Sequence, residues 1–248
     1  MPMRTLKLTL AYDGTDFCGW QRQATERTVQ AVVEDALRPI EGQPVVITGA
    51  GRTDTGVHAD GQVASVSLTA SIGTGDLQRA LNATLPDDVR VLDVVEVRAD
   101  FNARYDARSK TYRYAVWCGD VMPPGVRRSA WHVPQSLDVN GMQQAAALLV
   151  GSHDFAAFQA SGSDVKTTVR EITTSKVSQE PSAPMIVYDV AGSGFLRHMV
   201  RNIVGTIVDV GRGRMHPTVV AEILASRSRA RASATAPAHG LTLVRVDY

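Results

Sequence analysis

A glycine-rich loop holds the residues of this chain whose types and spacing best suit chemistry. It reads GAGRTDTGVHA over residues 49–59. Its glycines adopt backbone angles that other residues resist, so the chain can turn tightly and present Asp54. Arg52 lies two positions earlier, and in an extended segment the two side chains share a face, where the arginine favours an ionised carboxylate. In a protected groove, such a carboxylate is suited to nucleophilic attack or to stabilising a cation.

The same loop also has a structural interpretation. A glycine-rich hairpin often contains an aspartate that accepts hydrogen bonds from its own backbone. The loop alone leaves both interpretations open, so the surrounding elements and motifs must decide between them.

Composition excludes several kinds of protein. The 248 residues carry 26 basic and 25 acidic side chains, and the two cysteines, Cys18 and Cys118, have no metal-ligating neighbours. We therefore expect no disulfide framework, no metal site, no cofactor and a reducing, cytoplasmic location. No apolar run approaches the roughly 20 residues that a membrane span requires.

Arginine is concentrated late in the chain. Residues 195–231 contain seven arginines against Asp209 and Glu222. Arginine suits bidentate phosphate recognition and stacking on bases. Solvated faces of an arginine-rich protein would give the same pattern. The charge distribution is therefore compatible with an RNA partner but does not establish one.

Hydrophobic periodicity predicts the elements that must position the loop. In the first half it predicts a strand, a helix with Thr28 as its N-cap, two strands, a helix and a strand. These elements span residues 4–12, 28–40, 43–49, 61–69, 76–84 and 88–97. The order is the β-α-β-β-α-β arrangement of ferredoxin-like folds, with the glycine-rich loop between two strands.

The second half is predicted to repeat this order, with one additional short helix. Its elements span residues 109–117, 138–150, 167–178, 184–192, 195–210, 217–226 and 241–246. We therefore predict an α/β (α+β) fold of two ferredoxin-like halves side by side, covering 1–105 and 106–248. A cleft between the halves would hold an extended polymer and the active site.

Five motifs follow one another from the first strand to the last residues. They are YDGTDFCGWQRQ over 12–23, RTDTGVHA over 52–59, SKTYRY over 109–114, GFLRHMVRN over 194–202 and PAHGL over 237–241. Together they resemble the motifs of the TruA-type tRNA pseudouridine synthase family. The sequence departs from the family pattern at Arg197, where the family usually has an aromatic residue.

The resemblance implies an isomerase that converts uridine to pseudouridine in the anticodon stem-loop of tRNA, at family positions 38, 39 and 40. It implies that Asp54 is the nucleophile. Three routes stay open for its carboxylate, which are attack on ribose C1′, addition to pyrimidine C6 and assistance to elimination. It further implies that Tyr112 packs on the target base and that Arg201 pairs with the catalytic carboxylate. Arg52, beside the nucleophile, is a candidate for holding a displaced base.

The resemblance also implies a homodimer in which one tRNA contacts both subunits, without a metal or a membrane. The alternative from another class is a non-catalytic RNA-binding protein on a ferredoxin-like scaffold, since exposed aromatics and arginines serve either function. A carboxylate placed against phosphate opposes binding, so Asp54 favours the enzyme.

Overall fold

The computed structural model describes residues 3–162 and 165–248, which form two units. The first unit ends at Arg108 and also includes Leu243–Tyr248, and the second comprises Ser109–Thr242. Both contain strands and helices, which confirms the predicted α/β class. Among the described helices, none has the length and apolar character that a membrane crossing requires.

The first unit is built on four main strands and two helices. Its elements are β1 Arg4–Tyr12, α1 Val29–Glu41, β2 Thr48–Gly49, β3 His58–Leu68, α2 Thr74–Thr84, β4 Val89–Val97 and, from the end of the chain, β10 Leu241–Asp247. The strands lie in the order β4-β1-β3-β10, with β2 beside β3. β1 is antiparallel to both β3 and β4, and its Leu6, Leu8 and Leu10 are fully buried.

Helix α1 shows how local sequence sets the bounds of an element. The hydroxyl of Thr28 accepts a hydrogen bond from the backbone N–H of Ala31 at 3.4 Å, which confirms the predicted N-cap. At the other end the chain leaves the helix at Gly42, where φ is +78°. Val33 and Leu37 on the inner face are fully buried.

The second unit contains the remaining strands and helices. Its elements are β5 Ser109–Trp117, β6 Trp131–His132, α3 Val139–Ala147, β7 Gly151–Asp154, β8 Val169–Gln179, β9 Met185–Gly192, α4 Met199–Gly211 and α5 Val219–Ser226. The strands lie in the order β5-β9-β8-β7, and β6 pairs with β5 in parallel. Helix α4 is buried along most of its length.

Several predicted elements differ from the observed ones. Helix α4 begins at Met199 and not near residue 195, because His198 has a left-handed backbone with φ of +58°. The strand predicted over 43–49 is reduced to β2, since the N–H of Ile47 donates to the side chain of Glu34 at 3.1 Å and joins no ladder.

Two further differences concern the second half of the chain. The sequence did not predict β6 and β7, which have two and four residues and show no clear period. The last strand, expected to close the second half, lies beside β3, and its residues from Leu243 onward belong to the first unit.

Candidate active site

The segment between β2 and β3 presents Asp54 directly before a tight turn. Exposure alternates along it: Arg52 is exposed, Thr53 is buried and Asp54 is partly exposed. The carbonyl of Asp54 accepts a hydrogen bond from the N–H of Val57 at 3.1 Å, and Gly56 inside this turn has φ of +78°. The turn therefore ends the segment directly after the candidate nucleophile.

The opening motif holds this segment from one side. The N–H of Trp20 donates to the carbonyl of Thr53 at 3.1 Å, and the N–H of Gly56 donates to the carbonyl of Phe17 at 3.3 Å. Gly19 packs so closely that a Cβ atom there would lie 2.8 Å from the carbonyl oxygen of Thr53. The backbone on both sides of Asp54 is thus fixed by residues 17–20.

A buried polar network fixes the side chain of Thr53. Its hydroxyl lies 2.8 Å from the hydroxyl of Tyr12, which also accepts a longer bond of 3.4 Å from the amide of Gln62. The same amide donates to the carbonyl of Gly51 at 2.9 Å. Burial raises the pKa of Tyr12 to about 12, against the opposing effect of its bonds to Thr53 and Gln62. The phenol therefore stays neutral and serves as a support.

His58, the histidine of the loop motif, has a structural role. Its Nδ1 accepts a hydrogen bond from the backbone N–H of Gly14 at 3.1 Å, and its ring is buried. The carboxylate of Asp13 lies 3.2 Å from the same nitrogen. Because the N–H of Gly14 can only donate, we assign Nδ1 as an acceptor, so the contact with Asp13 is not a hydrogen bond from this nitrogen. His58 ties the loop to the opening motif.

Tyr112 lies on β5 in the second unit, opposite Val190 of β9. Its ring is 7% exposed and meets Phe195 edge to face, with ring centroids 5.1 Å apart. Tyr114, two residues on, is fully buried, and its hydroxyl donates to the carbonyl of Pro237 at 2.8 Å. Tyr114 therefore belongs to the core, and its burial raises the pKa of the phenol.

Arg201 on α4 is tied to the segment just before the closing motif. Its Nε donates to the carbonyl of Ala236 at 2.8 Å, and the N–H of Ala236 donates back to the carbonyl of Arg201 at 3.1 Å. Arg197 lies before the helix and is exposed, and its guanidinium donates to the carbonyl of Ser161 at 3.0 Å. The residue that departs from the family pattern therefore holds a neighbouring loop.

Two buried polar residues, Glu34 and Asn202, were not among the residues that the sequence predicted for the site. Glu34 is 5% exposed and accepts from Arg22 of the opening motif at 2.6 Å. Asn202 is fully buried, and its side-chain oxygen accepts from Arg229 at 3.0 Å and from Thr235 at 2.6 Å. Asn202 ends one of the five motifs, which was the available signal, whereas Glu34 lies outside all five. Both residues fix the segments that carry those motifs.

The predicted site residues are thus distributed over both units. Arg52 and Asp54 share one loop of the first unit, whereas Tyr112 and Arg201 lie on β5 and α4 of the second. Within the described ranges, no three histidine, cysteine, aspartate or glutamate side chains are grouped as a metal site requires.

Comparison with known proteins identifies the class. A family model described as tRNA pseudouridine synthase matches residues 9–106 and 145–248. The chain therefore belongs to the tRNA pseudouridine synthase family, and it is an isomerase that acts on RNA. The resemblance predicted from the five motifs is confirmed.

Individual relatives match over their full length. A tRNA pseudouridine synthase A from Moorella thermoacetica is 48% identical over 248 residues, covering 99% of this chain and 100% of the relative. A tRNA pseudouridine synthase A from Acetivibrio thermocellus is 45% identical over 246 residues, again covering 99% and 100%. Among solved structures, a chain of a Cbf5–Nop10–Gar1 complex is 13% identical, covering 96% of this chain and 48% of that chain. Its TM-score of 0.39 is too low to support an inference.

Proposed function

We propose that this protein isomerises uridine to pseudouridine in the anticodon stem-loop of tRNA, at positions 38, 39 and 40, with Asp54 as the nucleophile. The observation that carries the proposal is the way Asp54 is held. The preceding residue, Thr53, is bonded through its carbonyl to Trp20 and through its hydroxyl to Tyr12, while Asp54 itself stays partly exposed. A carboxylate on so fixed a backbone is suited to attack from one defined direction.

The proposed reaction conserves all atoms of the nucleotide. The bond between ribose C1′ and uracil N1 breaks, the base turns while bound, and a bond forms between C1′ and C5. The proton of C5 then leaves and N1 gains one. Asp54 fits three routes, which are attack on C1′, addition to C6 and assistance to elimination, and they differ in the atom that the carboxylate approaches.

The other site residues take supporting roles in this proposal. Tyr112 packs against the target base, and its hydroxyl helps to remove the C5 proton. Arg201 supplies the counter-charge of the catalytic carboxylate. Arg52 is exposed beside the nucleophile and holds the base that leaves the stack, a step that costs a few kcal/mol in structured RNA.

The proposed functional unit is a cytoplasmic homodimer in which one tRNA contacts both subunits. A formal net charge of +1 for one chain is compatible with a basic surface that two subunits share. Light scattering of the purified protein tests the dimer directly, since a monomeric mass would contradict it.

The activity is tested by incubating the purified protein with unmodified tRNA transcripts and mapping pseudouridine. We expect conversion at positions 38–40, unchanged by a chelator, and none in matched transcripts that carry cytidine there. Binding without conversion would instead support the RNA-binding alternative. Conversion only at other positions would contradict the anticodon assignment while leaving the enzyme class intact.

A further inference from the structure

Tyr105 is the one aromatic side chain in the described ranges that is mostly exposed, at 77%. Exposing a large aromatic ring forgoes the free energy that burial would give. The other five tyrosines are buried or partly buried. On a protein that acts on RNA, a ring left in solvent is available for stacking with a base of the RNA.

The segment that carries Tyr105 is fixed by its own hydrogen bonds. The side-chain oxygen of Asn102 accepts from the N–H of Arg104 at 3.0 Å and from the N–H of Tyr105 at 3.2 Å. The carboxylate of Asp106 in turn accepts from the N–H of Asn102 at 2.9 Å. The backbone under the exposed ring is thus held in one conformation.

Ala103 anchors this segment to the rest of the first unit. It is fully buried, its N–H donates to the hydroxyl of Ser65 on β3 at 3.1 Å, and its carbonyl accepts from the hydroxyl of Tyr248 at 2.8 Å. The exposed ring is therefore presented by a rigid support, so a partner that binds it incurs little cost for ordering the backbone.

Arg104 places a positive charge beside the ring. The guanidinium of Arg104 lies over the ring of Tyr105, 5.6 Å from its centroid. The nearby carboxylates of Asp100 and Asp106 are already paired with Arg98, at 2.9 Å and 2.6 Å. In the described part of the chain Arg104 has no ion pair, so its charge is available to an anionic partner.

We propose that Arg104 and Tyr105 form a second RNA contact of this enzyme, in which an unpaired base of the tRNA stacks on Tyr105 and Arg104 binds an adjacent phosphate. A stacking ring next to a cation is the combination with which proteins bind unpaired nucleotides. This inference rests on the proposed function for its substrate, tRNA, and it assigns no part in the chemistry to either residue.

The stacking half of the inference is tested with variants at Tyr105. We expect Tyr105→Ala and Tyr105→Leu to weaken tRNA binding by about tenfold or more, whereas Tyr105→Trp retains it. The matched control is Val46→Ala, since Val46 is equally exposed at 77% and belongs to the same unit. Val46→Ala should bind and convert tRNA as the wild type does.

The phosphate half is tested through salt dependence. Arg104→Gln should lower the slope of log Kd against log salt by about 0.7, the value for one phosphate on a single strand. Arg79→Gln is the control, because Arg79 is exposed but paired with Asp76. An unchanged slope in Arg104→Gln would overturn this half.

The remaining outcomes separate this inference from the proposed function. Suppose that wild-type protein converts tRNA and that Tyr105→Ala binds tRNA as tightly as Val46→Ala does. The proposed RNA contact at Tyr105 is then excluded, while the proposed function is unaffected. If Tyr105→Leu binds tRNA as tightly as wild type does, stacking on the ring is excluded and the inference fails. If Tyr105→Ala changes the oligomeric mass of the RNA-free protein in solution, Tyr105 serves a contact between protein chains and the inference also fails. If wild type binds tRNA without converting it, the proposed function fails instead.

Discussion

Gly19 and Thr53 are packed backbone against backbone. A Cβ atom at Gly19 would lie 2.8 Å from the carbonyl oxygen of Thr53 and 3.2 Å from the backbone nitrogen of Thr55, and φ of Gly19 is +85°. The two atoms belong to the residues on either side of Asp54. The position of Asp54, the proposed nucleophile, therefore depends on the absence of a side chain at Gly19, 35 residues earlier in the chain.

Gly19→Ala should displace the loop and slow the reaction. The new methyl group meets backbone atoms that cannot rotate away, so the loop must move, and we expect kcat to fall by about tenfold or more. Gly42→Ala is the control, because Gly42 has a similar φ of +78° but no atom within 4 Å of its Cβ position. Both variants carry a left-handed alanine, at a cost of roughly 1 kcal/mol in unfolding free energy. If Gly19→Ala kept the kcat of Gly42→Ala, the dependence of Asp54 on Gly19 would be wrong.

Tyr12 gives a prediction for alkaline pH. Burial raises its pKa to about 12, so the folded protein holds this proton more tightly than the unfolded chain does. A raised pKa contributes stability that is complete below about pH 10 and is lost as the pH rises toward 12. The unfolding free energy of wild type relative to Tyr12→Phe should therefore fall by about 1 kcal/mol between pH 9 and pH 11. Urea unfolding across this range measures it, and a difference independent of pH would contradict the assignment.

The regular parts of the fold were predictable from periodicity alone. β5 was predicted over 109–117 and observed as Ser109–Trp117, because three apolar residues on one face of an alternating strand mark both its face and its length. The start of α4 was predicted wrongly, since Phe195 and Leu196 continue the apolar pattern although the backbone of His198 is left-handed. Periodicity reports which residues are buried, and it does not report backbone angles at an element's end.

The assignment of Asp54 stays a prediction. Three glycines around an arginine and an aspartate drew attention to the loop, and the accompanying motifs then favoured a catalytic interpretation over a structural turn. Glu34 could not be found in this way, because a charged residue on an amphipathic helix is read as solvent-facing, and its burial depends on Arg22 and on the N–H of Ile47. Such partners are distant in sequence and become visible only in the folded chain.

Tyr112→Phe tests the proposed role of the hydroxyl group. The phenyl ring still packs against Phe195, so the base platform is retained while the proton acceptor is lost. We expect kcat to fall on the order of a hundredfold with little change in tRNA affinity. Tyr188→Phe is the control, since it removes a buried hydroxyl that lies 2.9 Å from Ser175 and should cost about 1 kcal/mol of stability without affecting kcat. Equal kcat values for the two variants would exclude Tyr112 from proton transfer.

Arg52→Lys tests whether the exposed arginine assists in extracting the uridine. A lysine keeps the charge and loses the planar group that can stack on a displaced base. We expect slower turnover on folded tRNA and near-normal turnover on a short, unstructured RNA with the same target, because the unstructured RNA needs no extraction. Unchanged turnover on folded tRNA would remove this role from Arg52.

In the proposed reaction the carboxylate of Asp54 performs the chemistry. Asp54→Asn keeps the size and the backbone bonds of this residue but removes the negative charge, and it is tested with tRNA carrying tritium at uridine C5. We expect the variant to fold, to bind tRNA with wild-type affinity and to release no tritium above background in a single turnover, while wild type releases it in step with pseudouridine formation. Tritium release by Asp54→Asn at the wild-type rate would contradict the assignment of Asp54 as the nucleophile.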